Sequence, residues 1–290
     1  MLDRSYPIYR YQKETMNEIS EKKTLFLGDS RVVSSIIPDK FFNSKNIGIV
    51  GSNPIESYYL LKKSLTKDHK VNTIFVSYAW KRFGLEYWPD VLIQRGAFMD
   101  FYSTNDLIEI VKVAKKIDPE FLNSFEYQDL IFAKLKFPHI IIKKIKQSLF
   151  HNGRENRRVY NKVILNKGYV NGIWGTNGCK ECIPNETNYR NFELKAIYQF
   201  YFIKLIEFCN QNNIRLVYET LPFNRSASNK FNEELLSSHS AFTEKLQKKY
   251  PQNIFNDFIF FLPDSLFEDP HHMNESGALF YSKYLQDKYF

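Results

Sequence analysis

Short apolar runs alternate with longer amphipathic stretches at both ends of this chain, and this alternation limits the possible folds more than any other feature. The apolar runs have the length of buried strands and lie at 24–29, 46–50, 71–77, 214–220 and 254–258. The stretches that suit helices lie at 30–36, 54–66, 189–212 and 228–249, with a last helix after Asn274. Strands that alternate with helices form a parallel sheet covered on both faces. The sequence therefore predicts an α/β fold.

The turn Gly28-Asp29-Ser30-Arg31 follows the first predicted strand and precedes the first predicted helix. A serine at this point exposes its hydroxyl at the carboxyl edge of the sheet, where open α/β sheets hold their active sites. Its own N–H lies at a helix N-terminus, whose partial positive charge favours a developing oxyanion. Gly, Asp and Ser also dominate ordinary turns, so a plain polar turn is an alternative at this stage.

Asp269 and His272 lie on a loop just before the last predicted helix. An aspartate three residues before a histidine can accept a hydrogen bond from one imidazole nitrogen while the other nitrogen faces a nucleophile. This is the division of roles in a Ser-His-Asp triad, and Pro270 restricts the loop between the two residues. Taken alone, a histidine pair in a loop is a surface feature or a weak metal site. Together with the upstream serine, the pattern favours a triad of Ser30, His272 and Asp269.

With Gly28-Asp29-Ser30 near one end and Asp269-x-x-His272 near the other, the sequence resembles the SGNH/GDSL hydrolase superfamily. The longer pattern Phe-x-Asp-x-x-His-Met-Asn-x-x-Gly, which ends at Gly277, is similar to the branch with alginate O-acetyltransferases and lipoteichoic-acid D-alanylation SGNH proteins. The resemblance covers roughly residues 22–80 and 190–290. It implies a flavodoxin-like, three-layer α/β/α fold with a central parallel sheet, and ester chemistry through an acylated serine.

The resemblance also implies an oxyanion hole. In the family, the N–H of the nucleophile and the N–H of a glycine after the second strand both donate, and the matching positions here are Ser30 and Gly51, with Gly48 as second choice. The family usually adds an Asn after the third strand, but here residues 71–77 run into Tyr78-Ala79-Trp80 without one. Asn53 and the Tyr78 hydroxyl are the candidates to replace it. The loss of one such donor typically lowers turnover about 100- to 1000-fold.

Residues 82–188 interrupt the alternation, and we expect them to form a large, mostly helical insertion or lid on a core made of 1–81 and 189–290. Helical pieces are predicted at 105–116, 119–135 and 138–150. The last piece is basic and amphipathic, which suits an anionic membrane surface. Such a helix more often packs its apolar face on its own domain.

Aromatic residues make up 17% of the chain, and several are candidates for substrate contact. Trp80, Trp88 and Trp174 suit stacking on sugar faces, although each is a packing residue if it is buried. Arg31, beside the predicted nucleophile, is a further candidate for binding substrate.

The chain has 290 residues with 40 Lys and Arg against 32 Asp and Glu, which gives a net charge of +8. This balance favours anionic partners such as acidic polysaccharide or a membrane surface, while no recognised motif indicates nucleic acid. A solvated basic surface without a specific partner is the common alternative. Cys179 and Cys182 lack the two further ligands that zinc needs, so we expect a local disulfide or two ordinary thiols, and no metal or cofactor.

No apolar signal segment occurs in residues 1–22, and no run approaches the length of about 18 apolar residues that marks a membrane span. A cytoplasmic location is expected if Met1 is the native start, and an extracytoplasmic one if an upstream signal or anchor was removed.

These features predict an O-acyl esterase or O-acetyltransferase that acts on a carbohydrate or cell-surface glycan, with an acyl donor if it is a transferase. The alternative, motivated by the missing Asn, is a non-catalytic glycan-binding protein that keeps the fold.

Overall fold

A computed structural model describes residues 6–80, 83, 99–122, 153–174, 179, 192 and 195–290, without the side chains of 153 and 154. Within these ranges, a five-stranded parallel sheet is flanked by helices on both faces. The strands of this sheet are β1 (Thr24–Gly28), β2 (Ser44–Asn46), β3 (Thr73–Ser77), β4 (Arg215–Glu219) and β6 (Ile254–Asn256). Two short strands, β5 (Phe223–Asn224) and β7 (Phe261–Leu262), pair separately. The α-helices are α1 (Tyr6–Glu14), α2 (Ser30–Ser35), α3 (Pro54–Ser64), α4 (Thr104–Ile117), α5 (Gly153–Leu165), α6 (Ala196–Gln211), α7 (Glu233–Lys249) and α8 (Glu275–Tyr289).

The strand order of the main sheet is β2-β1-β3-β4-β6, and every neighbouring pair is parallel. Counted within the sheet, this is the flavodoxin-like order 2-1-3-4-5, in which the direction of winding reverses between β1 and β3. Ligands of open α/β sheets bind at such a switch point, beyond the carboxyl ends of the strands. Ser30 follows the end of β1 after the single residue Asp29 and therefore lies at the switch point.

Side chains of alternate strand residues pack on opposite faces of the sheet, as the two-residue period of a strand requires. On one face, Leu25 and Leu27 of β1 belong to a core that also contains residues of α3, α6 and α7. On the other face, Phe26 lies in a second core with residues of α2 and α8. Helices on both faces of a parallel sheet confirm the predicted α/β class.

Most helices that begin near the carboxyl edge start at a side-chain cap, because the first backbone N–H groups of a helix have no partner within it. Asp29 caps α2, Asn53 caps α3, Asn232 caps α7 and Asn274 caps α8. The last helix, predicted from the sequence to follow Asn274, does begin directly after it.

The strand predicted at 46–50 was wrong in its position, since β2 covers Ser44–Asn46. The prediction was based on the apolar residues Ile47 and Ile49. In the structure, regular strand pairing with β1 is made by the polar segment Ser44–Asn46, which is buried. The Ile47 and Ile49 N–H groups still donate to Phe26 O and Gly28 O at 2.8 and 2.9 Å. Residues 47–49 thus continue along β1 to the carboxyl edge of the sheet.

Two helices, α1 and α5, were not predicted, and they pack on each other through a separate apolar cluster with Ile8, Tyr11, Val159 and Val163. The helix predicted at 105–116 is confirmed by α4. Of the helix predicted at 119–135, residues Pro119–Leu122 form a 3₁₀ turn and the remainder lies outside the described residues, as does all of 138–150. No helix in the described ranges is both long and apolar enough to cross a membrane.

Gly28, the last residue of β1, permits the closest approach of β1 and β3 next to the serine. It lies opposite Ser77 in the ladder and has a φ of +152°. A Cβ at this position would lie 1.9 Å from the Ser77 carbonyl oxygen and 2.6 Å from Val32 Cγ2. Both the backbone conformation and the available space therefore require glycine.

We expect Gly28→Ala to lower the free energy of unfolding by more than about 3 kcal/mol, since the clash is with backbone that cannot move aside. The control is Gly172→Ala: Gly172 has a φ of +69°, and its nearest neighbour would be Lys162 Nζ at 4.0 Å. In Gly172→Ala the only expected cost is the strain of alanine at a positive φ, which lowers the free energy of unfolding by about 1 kcal/mol. Urea unfolding of both variants measures the difference, and equal losses would contradict this explanation.

Candidate active site

Ser30, His272 and Asp269 form a continuous hydrogen-bonded relay. The His272 Nε2 atom lies 2.9 Å from Ser30 Oγ, although the two residues are 242 positions apart in the sequence. The His272 Nδ1 atom lies 2.8 Å from Asp269 Oδ2. With the ring proton on Nδ1, His272 donates to the carboxylate and accepts from the serine hydroxyl. This is the geometry in which histidine acts as a general base toward a serine.

The Asp269 carboxylate is fixed by its own loop. Its Oδ1 atom accepts from the backbone N–H groups of His271 and His272, both at 2.7 Å. Burial disfavours the charged carboxylate, but these bonds and the bond from the His272 ring outweigh burial and lower the pKa of Asp269 below its ordinary value. The group therefore stays ionised and can stabilise a positively charged imidazole.

Asp29 holds the turn that carries Ser30. Its Oδ1 atom accepts from the Arg31 N–H at 3.0 Å, and its Oδ2 atom accepts from the Ala79 N–H at 2.9 Å. One buried carboxylate thus joins the start of α2 to the end of β3. This role of Asp29 was not predicted from the sequence, although an aspartate before a short apolar helix is a recognisable cap signal.

The Arg31 side chain is buried rather than directed at a substrate. Its guanidinium donates to Leu221 O at 2.7 Å and Pro222 O at 2.6 Å, and it lies 4.3 Å from the Phe223 ring centroid. These contacts connect α2 to the loop after β4. In the structure, Arg31 therefore helps to hold together the elements that surround the site.

Other contacts hold the loop of residues 267–273 in place. The Glu268 Oε2 atom accepts from the Gly172 N–H at 2.8 Å, and Asn224 Nδ2 donates to Pro270 O at 2.8 Å. The Trp174 indole stacks on the His272 ring, with centroids 4.3 Å apart and planes 9° apart. Glu268 could not be predicted as part of the site, because a single acidic residue in a loop carries no distinctive sequence pattern.

The two glycines that the sequence offers for the oxyanion hole lie in different local structures. The Gly48 N–H donates to Asn46 Oδ1 at 3.0 Å. Gly51 lies in a turn closed by the Ser52 N–H, which donates to Ile49 O at 2.9 Å, and it has a φ of +76°. Because residues 47–49 run beside β1, this turn lies next to the end of β1, where Ser30 begins its helix.

Asn53 and Tyr78 differ as replacements for the missing third donor. The Asn53 Oδ1 atom caps α3, while its Nδ2 atom is buried and has no hydrogen-bond partner among the described residues. A buried donor without a partner is costly and calls for an explanation. The Tyr78 hydroxyl is likewise buried without a hydrogen-bond partner among the described residues, and burial raises its pKa. The Tyr78 ring, however, lies in the hydrophobic core, edge-on to Phe83 and to Phe202 of α6. Asn53, the N-cap of α3, lies two residues after Gly51 and is therefore the better candidate.

Trp80 lies in the core behind the site. It is 4% exposed, donates to Thr220 Oγ1 at 3.1 Å and stacks on His239 at a centroid distance of 4.6 Å. Burial lowers the pKa of His239 to about 4, so this ring is neutral. The placement leaves Trp80 no open face for a sugar, and Trp88 lies outside the described residues.

Cys179 is disulfide-bonded and its N–H donates to Phe267 O at 3.2 Å, whereas Cys209 is a buried free thiol. Cys182 lies outside the described residues. Among the residues that the structure describes, no group of three or more His, Cys, Asp or Glu side chains is placed to hold a metal ion.

Comparison of the sequence with protein-family models finds no match, and comparison with curated proteins finds none either. The chemistry of this site therefore rests first on its geometry.

The lowered pKa of Asp269 predicts a specific dependence of stability on pH. A carboxyl group whose pKa is lower in the folded state stabilises the protein above its unfolded pKa of about 3.9, and this contribution is lost as the pH falls through the folded pKa. We expect Asp269→Asn to be less stable than the wild type by about 1–2 kcal/mol at pH 6, and this difference to shrink toward pH 3.

Urea unfolding at a series of pH values measures this difference. Asp68→Asn, at an exposed loop position, controls for the loss of one acidic side chain. A difference for Asp269→Asn that is the same at pH 6 and pH 3 would show that the carboxylate charge plays no part.

Proposed function

We propose that this protein catalyses acyl transfer through a covalent ester on Ser30, as an O-acyl esterase or O-acetyltransferase. The observation that carries the proposal is the relay from Ser30 Oγ through His272 to Asp269, with bonds of 2.9 and 2.8 Å. The position of the serine at the switch point of a parallel sheet also supports it, because ligands of such sheets bind there.

In the first half-reaction, Ser30 Oγ attacks the carbonyl carbon of an ester while its proton moves to His272 Nε2. The new C–O bond gives a tetrahedral intermediate whose negative oxygen is stabilised by the N–H groups of Ser30 and Gly51 and by the Asn53 amide. The intermediate collapses as the bond to the leaving oxygen breaks, and that oxygen takes the proton from His272. Asp269 stabilises the imidazolium throughout.

In the second half-reaction, an acceptor hydroxyl gives its proton to His272 and attacks the acyl carbon, which breaks the bond to Ser30 Oγ and returns the proton to the serine. Water as acceptor gives hydrolysis, and a sugar hydroxyl gives transfer. Both outcomes use the same residues, so the relay supports the two reactions equally.

We propose a carbohydrate or cell-surface glycan as the substrate class. The support is the resemblance of the motifs around Ser30 and His272 to SGNH/GDSL proteins, including polysaccharide-modifying branches, together with the net charge of +8, which favours acidic polymers. In this proposal residues 82–188 form an insertion on an SGNH-type core and shape the acceptor site.

A non-catalytic glycan-binding protein is the rival function, and the absence of Asn after the third strand is the observation that favours it. The rival predicts that the relay has no turnover, whereas the catalytic proposal assigns the missing donor to Asn53.

The wild type is expected to hydrolyse p-nitrophenyl acetate, and Ser30→Ala and His272→Ala to lower kcat at least about 1000-fold, because the nucleophile or its base is removed. Release of p-nitrophenol measures the rate. Ser237→Ala removes an exposed serine of α7 and should retain wild-type activity. A wild type no faster than Ser30→Ala would favour the rival function.

Asn53→Asp separates the cap from the proposed oxyanion donor. Aspartate keeps the oxygen that caps α3 but replaces the amide N–H₂ with an acceptor. We expect kcat to fall by about 100-fold or more. The free energy of unfolding should also fall, by about 1–3 kcal/mol, because the new carboxylate oxygen is buried without a partner, and kcat is therefore measured where the variant is fully folded. The matched control is Asn232→Asp at the cap of α7, which should leave kcat unchanged. Equal activity in both variants would remove Asn53 from the oxyanion hole.

A further inference from the structure

The His272 ring is held in its plane by two hydrogen bonds and on one face by an indole. The bonds to Asp269 and Ser30 both lie along the ring edge. These two bonds only weakly restrain rotation of the ring about the line that joins its two nitrogen atoms. The Trp174 indole, 4.3 Å away and only 9° from parallel, covers one face and limits that rotation.

Trp174 ends a segment that contacts the end of β2, helix α2 and the loop of residues 267–273. We name residues 167–174 the strap. The Asn46 N–H, at the end of β2, donates to Lys167 O at 3.0 Å, and the Val170 N–H donates to Val33 O of α2 at 3.1 Å. The Gly172 N–H donates to Glu268, next to Asp269, at 2.8 Å. The strap therefore has a fixed position relative to both halves of the relay.

Apolar packing anchors the strap as well. Val170 and Ile173 are 1% and 2% exposed and share a cluster with Val33 of α2 and with Val159 and Val163 of α5. Trp174 packs against the same cluster. This cluster therefore supports the indole, whose ring lies against the imidazole.

We propose that Trp174 is a positioning residue that holds His272 in the orientation required to accept the Ser30 proton. A cation within about 6 Å of an indole centroid is attracted to the ring face. The indole therefore also stabilises the imidazolium that forms when Ser30 is deprotonated. The face that covers His272 is closed to a sugar, so this role differs from the sugar stacking that the sequence suggested for Trp174. The catalytic part of this inference rests on the proposed function, whereas the ring position does not.

Kinetics with p-nitrophenyl acetate test the catalytic part. We expect Trp174→Leu to lower kcat about 10-fold, as the loss of a cation–π contact allows, and to leave KM within about twofold. Trp174→Phe keeps an aromatic face at a volume similar to leucine and should stay within about threefold of the wild type. Phe42→Ala, which removes a ring that is 78% exposed, controls for the loss of an aromatic residue and should not change kcat.

Proton NMR tests the ring position without turnover. A histidine Nδ1 proton hydrogen-bonded to a carboxylate gives a deshielded, slowly exchanging signal, which is assigned here by its loss in His272→Gln. We expect this signal in the wild type and Trp174→Phe, and its loss or fast exchange in Trp174→Leu. The carbon-bound ring protons of His239, which stacks on Trp80, are the internal reference and should not shift.

A Trp174→Leu variant with wild-type kcat and an unchanged Nδ1 signal would overturn the inference. Equal losses in the Phe and Leu variants would also overturn it, since they would trace the effect to packing volume rather than to an aromatic face. A wild type that shows the Nδ1 signal but hydrolyses no ester would overturn the proposed function instead, and the signal in Trp174→Leu would still decide the ring position.

Discussion

The Asp29 carboxylate makes the contact on which the rest of the site depends. Its two oxygens join the first turn of α2 to Ala79, two residues beyond β3, so the serine turn is attached to both strands of the switch point. Gly28 lets these strands approach, because any side chain there would meet the Ser77 carbonyl. Together the two residues fix Ser30 at the carboxyl edge, and the guanidinium of Arg31 extends the same frame to the loop after β4.

The features of this arrangement that could be predicted from the sequence are those that depend on patterns of neighbouring residues. Apolar runs predicted β1, which leads to Ser30, and the strands whose carboxyl ends lie at the same edge of the sheet. The Asp269-x-x-His272 spacing, together with Ser30, predicted the relay whose members lie within hydrogen-bond distance in the structure. β2 was misplaced, because its polar residues are buried by tertiary contacts that hydrophobicity does not record.

The contacts made by long-range packing could not be predicted. Nothing in the sequence near Trp174 indicates that its ring stacks on His272, or that Glu268 accepts a hydrogen bond from the Gly172 N–H. Both contacts depend on how α5 and the strap sit on α2, which is set by the shared apolar cluster around Val33. The burial of Trp80 and Arg31 has the same origin, since a side chain's type does not tell which neighbours will enclose it. The Nδ2 atom of Asn53, buried without a partner in the described part of the chain, likewise became visible only in three dimensions.

The central claim is that Ser30 is a nucleophile activated by His272. The most direct test is the intact mass of the protein after treatment with a fluorophosphonate, in which an activated serine oxygen attacks phosphorus and displaces fluoride. We expect one adduct per chain, located by peptide mapping on Ser30, and strongly slowed labelling in His272→Ala. Absence of an adduct, or labelling at the same rate in His272→Ala, would contradict it.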